Sequence, residues 1–82
     1  MGATIIRNVR IRSGKTKIAD KLSGGVEYKE MQISAKKLAA KFKKGAFYTV
    51  DDGHKAWKVM FISGDADSLD FKVAEELKTI PA

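Results

Sequence analysis

The sequence predicts a mainly β domain with one helix: strands, an α-helix over about 35–44, then a β-meander, rolled into a small barrel. Three observations predict it. Short β-branched runs alternate apolar with polar residues, clusters of Gly, Ser and Asp punctuate those runs, and one segment changes to helical spacing. At 82 residues the chain is one domain's worth, near the lower limit for a self-sufficient core. It has no cysteine, so packing alone must hold it. A hydrophobic fraction of 44% and a single proline favour folding over disorder.

Thr4 to Arg12 is the first strand, with Ile5, Val9 and Ile11 on one face and Asn8, Arg10 and Arg12 on the other. Ser13-Gly14-Lys15-Thr16 ends it. Residues 17–22 alternate weakly before Ser23-Gly24-Gly25 breaks the chain again, so this stretch is either a short strand or a mobile basic loop. In Val26 to Ile33 the apolar set moves from Val26 and Tyr28 to Met31 and Ile33. One extra residue turns a strand's side chains over, so a bulge is expected near Lys29-Glu30.

Ser34 suits an N-cap, Ala35, Leu38, Ala39 and Phe42 recur at helical spacing, and Gly45 stands where a C′ glycine belongs. Lys36, Lys37, Lys41, Lys43 and Lys44 cover the other faces, the first two opposing the helix dipole. A meander follows. Residues 46–50 lead to an Asp-Gly hairpin turn at Asp51 to His54. Residues 55–62, apolar on both faces, read as a central strand covered on both sides, by the helix on one. A turn over 63–68 precedes a last strand from Leu69, with a slip at Glu75-Glu76 and a stop at Pro81.

Residues 1–50 carry 12 Lys or Arg against 3 acids, and residues 51–82 carry 4 against 7. A net charge of +6 so distributed points to a polyanionic partner. Other chemistries fit poorly. Gly14-Lys15-Thr16 resembles the end of a phosphate-binding loop, but Val9 stands where that loop needs glycine. Asp65, Asp67 and Asp70 lack the calcium-loop pattern, since Leu69 and Asp70 occupy its fifth and sixth positions, and they read as turn residues. His54 is the single histidine and sits in a turn. With no usual nucleophile and base pairing, the expectation is no enzyme, no metal and no cofactor. The absence of an 18-residue apolar run and of a leader-like start leads to the expectation of a cytoplasmic protein with no membrane partner.

Phe42, Phe47 or Tyr48, Trp57, Phe61 and Phe71 are accounted for as core. Tyr28 differs, because it lies among glycines and charged residues, near Arg10 and Arg12 if the first strands pair. An exposed aromatic among cations suits single strands, whose bases stack while the cations follow the phosphates. Size and element order suggest an OB-like barrel, a common platform for such strands.

Arg12-Ser13-Gly14, Gly25, Tyr28 and Gln32, the run Gly45-Ala46-Phe47-Tyr48-Thr49-Val50, and Lys78-Thr79-Ile80-Pro81-Ala82 resemble the filamentous-bacteriophage single-stranded-DNA-binding (helix-destabilising) proteins. The resemblance covers about a third of the chain in short pieces. It implies a distorted OB-fold that dimerises and coats viral DNA cooperatively in the host cytoplasm. The residues themselves lead to a related expectation: non-sequence-specific binding of single-stranded DNA, or RNA, through Arg10, Arg12, Lys15, Lys17, Lys21 and Lys29 with Tyr28 as stacking platform. Open strand edges at 26–33 and at the C-terminus would favour a homodimer. The alternative is a module whose basic helix (Lys36, Lys37, Lys41, Lys44) docks an acidic protein or duplex DNA.

Overall fold

The computed structural model describes residues 4–77. The expectations for Met1 to Ala3, Ile80 and Pro81, and the resembling end 78–82, lie outside the described residues. Six strands run β1 (Thr4–Ser13), β2 (Thr16–Glu27), β3 (Glu30–Ser34), β4 (Phe47–Asp51), β5 (Ala56–Gly64) and β6 (Ser68–Leu77). They form a closed antiparallel barrel in the order β1-β2-β3-β6-β5-β4, with β4 returning to β1. Two three-strand meanders therefore meet along the seams β3–β6 and β4–β1. Every strand has two neighbours, so the edge expected over 26–33 is covered on both sides, whereas beyond Lys72 the described residues of β6 pair in register with β5 alone.

The inner face is apolar. Ile6, Val9 and Ile11 from β1, Met31 and Ile33 from β3, Val50, Val59, Phe61, Leu69 and Phe71 are all buried. Small barrels need bulges to curl their strands, and these bulges reset the alternation. Asn8 takes φ 55 where the β1–β2 register slips between Ile6 and Val9. That slip puts Ile6 inside and leaves Ile5 exposed, contrary to the inward Ile5 expected.

β2 resolves the choice between strand and loop: it is one strand of 12 residues that passes through Ser23-Gly24-Gly25 unbroken. Gly24 does not break the chain but permits close approach. A Cβ there would collide with the Gln32 carbonyl oxygen on β3 and come within 2.9 Å of the Ile33 Cα. Nor is there a bulge at Lys29-Glu30. Glu27 pairs with Glu30, making Tyr28-Lys29 a two-residue hairpin loop with Tyr28 at φ 56.

The α-helix expected over 35–44 does not form. The segment is an irregular crossover with one 3-10 turn, Ala39–Lys41, and Ser34 is the last residue of β3 rather than a cap. An isolated helix of that length is marginal in water, so tertiary contacts decide. The Ala35 and Lys37 N–H groups donate to the carbonyls of Asp67 and Ala66 at 3.0 and 2.9 Å, and Lys37 takes φ 58. The apolar spacing serves a different end: Ala35 and Phe42 are buried, with Leu38 and Ala39 packed against the core, as a plug over one barrel mouth. The Phe42 ring lies 5.0, 5.4 and 5.7 Å from those of Tyr48, Phe61 and Phe71. Gly45, at φ 83, ends this crossover, and its N–H donates to Phe61 O at 2.9 Å.

Beyond the buried pair Ala56-Trp57, β5 is covered on one face, and no helix lies on the other. Lys58 and Ile62 are exposed and Met60 half-buried. The β4–β5 loop is four residues, 52–55, rather than two. It closes through Asp52, whose Oδ1 accepts from the His54 and Lys55 N–H groups at 2.9 and 2.8 Å. Partial burial pushes the Asp52 carboxyl up, but those donors prevail and hold it below its ordinary range. Asp65 is likewise a turn residue, accepting from the Asp67 and Ser68 N–H groups, each at 2.8 Å. The late slip falls at Ala74, between the pairs Lys58–Glu75 and Val59–Val73. Among the described residues no helix is long and apolar enough to cross a membrane.

Candidate nucleic-acid interface

β1 and β2 form one long ribbon, and five of the expected contact residues sit on it. Arg12 pairs across to Lys17, and Lys15 lies in the connecting turn. Lys21, exposed at φ 56, marks the slip between Ala19 and Leu22. Lys17 Nζ donates to Asp20 Oδ2 at 2.9 Å, and this hydrogen bond holds the Asp20 carboxyl below its ordinary range.

Arg10 has a different role from the one expected. Its Nη2 lies 2.9 Å from Asp51 Oδ2, joining β1 to β4 where the barrel closes. Asp51 is wholly buried and its Oδ1 has no hydrogen-bond partner among the described residues, whereas the Arg10 side chain is 39% exposed. The pair makes Arg10 first of all the counter-charge of a buried carboxylate.

Tyr28 and Lys29 stand apart from this ribbon of cations. Thr4 pairs with Val26 while Arg12 pairs with Lys17, so the tip bearing Tyr28 and the turn bearing Lys15 lie at opposite ends of β2. Tyr28 is 89% exposed, with Lys29 Nζ 5.9 Å from its ring centroid. Beside it is an open recess of about 500 Å³ lined by Glu27, Glu30, Ile62 and Lys72 as well. Its charge is mixed rather than cationic.

Of the pair Phe47 or Tyr48 expected in the core, Tyr48 is the buried one and Phe47 an exposed aromatic. Tyr48 and Val50, two residues apart, point inward, and the Tyr48 hydroxyl accepts a hydrogen bond from the Lys43 N–H at 2.9 Å. Phe47 points outward, is 52% exposed, and has Lys58 Nζ 5.0 Å from its ring centroid. The alternation of residues 47–50 was the available signal. Cross-strand pairing sets Lys17, Arg12, Thr49 and Lys58 in one row over β2, β1, β4 and β5. In the neighbouring row Phe47 stands beside Met60, and Met60 beside Lys72. Exposed Lys43 and Lys44 precede Phe47 in the chain. Lys36, Lys37 and Lys41 are exposed on the crossover.

Among the described residues no group of His, Asp and Glu is placed to hold a metal ion. No protein-family model, curated protein or solved structure matches the chain.

Proposed function

We propose that this chain binds single-stranded nucleic acid, DNA foremost, without base-sequence preference, coating the strand through the cation-bearing side of an OB-like barrel. The observation that carries this reading is the row Lys17, Arg12, Thr49, Lys58, which sets three cations in a line over four strands beside an exposed aromatic ring. Phosphates follow cations, and any base can stack on an aromatic face. Lys15 and Lys21 extend the charge along the ribbon, with Arg10 contributing the exposed part of its side chain. Lys29 and Tyr28, at the hairpin tip among Glu27 and Glu30, lie apart from this row and outside the contact surface. The small closed antiparallel barrel with a long first hairpin supports the OB-like assignment, although it has six strands. The resemblance to the filamentous-bacteriophage single-stranded-DNA-binding proteins points to the same substrate. The alternative, a basic helix docking duplex DNA or an acidic protein, loses its structural element, since residues 35–44 form no helix.

Titrating labelled single-stranded and duplex oligonucleotides at two salt concentrations tests the proposal. Four to six phosphate contacts give a log-log salt slope of roughly −3 to −4 on single strands, and single strands compete better than duplex. A slope near zero sinks the reading, and equal competition by duplex replaces it with general polyanion binding. RNA and DNA oligonucleotides of one sequence settle the sugar preference.

A further inference from the structure

We infer that Phe47, set between Met60 and the Lys58 ammonium, is the base-stacking platform of this protein, and that the bound strand runs across β2, β1, β4 and β5 rather than along the β2–β3 tip. This rests on the single-strand reading above and goes beyond it by locating the platform and the path. Four features converge on the site. The ring is half exposed although the strand around it is otherwise packed, so one apolar face is open to solvent. A cation already lies over it, with Lys58 Nζ at 5.0 Å, a separation at which an ammonium is drawn to a ring face. Met60, half-buried beside it, widens the platform with a polarisable side chain. The flanks are basic on two sides, Arg12 and Lys17 in the adjoining row and Lys43 and Lys44 a few residues upstream.

Geometry gives the direction. Neighbouring strands lie about 4.8 Å apart, so the row from Lys17 to Lys58 spans about 14 Å of the barrel wall. A chain laid along that row meets charge at both ends, with the aromatic surface of Phe47 beside Thr49 in the neighbouring row. When a base slides onto Phe47, Lys58 is displaced by only its own flexible length and can meet the adjoining phosphate. The Tyr28 tip offers no such arrangement, because Glu27 and Glu30 flank its ring and repel phosphate.

The test uses the whole chain and a fluorescein-labelled oligothymidylate, with affinity followed by anisotropy at two salt concentrations. Phe47→Ala and Phe47→Leu are expected to weaken binding by about 5- to 150-fold, as loss of one stacked base does, while leaving the salt slope unchanged. Lys58→Gln is expected to make the slope shallower by about 0.7. Tyr28→Gly, which removes the competing ring, is expected to bind as the parent does. Melting curves accompany each variant; Phe47→Leu keeps the apolar bulk, so its loss of affinity cannot be assigned to misfolding. If the parent binds with a steep salt slope and Phe47→Leu binds equally well, or if Tyr28→Gly takes the loss instead, the platform is wrongly placed and the single-strand reading survives. If the parent does not bind the oligonucleotide, the single-strand reading fails first and this inference with it.

Discussion

Lys37 distinguishes the crossover from the helix that the spacing of residues 35–44 suggests, because glycine at that position has opposite effects in the two. In the crossover Lys37 takes φ 58. A side chain in that left-handed region costs about 1–2 kcal/mol, and glycine removes the cost while giving back about 0.4–1 kcal/mol as unfolded-state freedom. Its N–H bond to Ala66 O, at 2.9 Å, is made by the main chain and survives the change. The balance favours Lys37→Gly over Lys37→Ala by about 0.5–1 kcal/mol. For a domain of this size that is a melting temperature higher by roughly 2–8 °C. In a helix the same comparison favours alanine by about 0.8–1 kcal/mol. Comparing the two variants with each other cancels the shared loss of a lysine charge. Thermal melting followed by circular dichroism, repeated as a urea titration, reads the difference. An alanine variant that melts several degrees above the glycine variant refutes the crossover geometry.

Three further outcomes are expected. Gly24→Ala forces a Cβ into the Gln32 carbonyl on the facing strand, so urea unfolding should show a loss of about 1–3 kcal/mol, at the upper end because the obstacle is backbone; an unchanged midpoint contradicts the β2–β3 register. Arg10→Ala abandons a wholly buried carboxylate and should cost about 3–5 kcal/mol, whereas Asp51→Asn leaves behind an arginine that can turn to water and should cost less; equal losses would mean that Asp51 is not buried. The Asp65 carboxyl is held below its ordinary value of 3.8 by the Asp67 and Ser68 N–H groups, so its contribution is complete above that value and lost as pH falls through the lower folded one; Asp65→Asn should flatten the fall in melting temperature below that point, and an unchanged profile refutes the role.

The β-rich architecture was legible because apolar residues alternate with others along most strands, as in Met31 and Ile33, Tyr48 and Val50, or Leu69, Phe71 and Val73. β2 was the exception. Its glycines resemble a break, and only the facing Gln32 carbonyl, brought close by the fold, explains why glycine stands there. The helix was misread for a related reason. Ala35, Leu38, Ala39 and Phe42 are spaced for one side of a helix, but the same set can plug a barrel mouth, and periodicity does not separate the two uses. Hydrogen bonds from residues 35 and 37 to the 66–67 turn decide the matter, and they are long-range. At the candidate site the cations were visible as a charge excess, and the exposure of Tyr28 as an aromatic among polar neighbours. Its separation from Arg12 depends on register, set by slips at Asn8 and Lys21 that leave little trace in composition.

The barrel's topology turns a charge gradient along the sequence into one across space. In the ring β1-β2-β3-β6-β5-β4, β6 lies opposite β1. β1 carries Arg7, Arg10 and Arg12 with no acid, while β6 carries Asp70, Glu75 and Glu76 against Lys72 alone. A different order of the same strands, with β6 beside β1, would set those carboxylates against the arginines and neutralise both. With the observed order, the Arg10–Asp51 pair joins β1 to β4, where it ties the barrel shut. A polyanion approaching the molecule is drawn to the β1–β4 side and repelled from the β6 side, so the field orients it before contact. The row from Lys17 to Lys58 leads away from the arginine strand and stops where Glu75 faces Lys58, which limits how far a strand can wrap. On the single-strand binding proposed above, a strand held on this geometry would engage one side of the barrel and leave the acidic side facing outward.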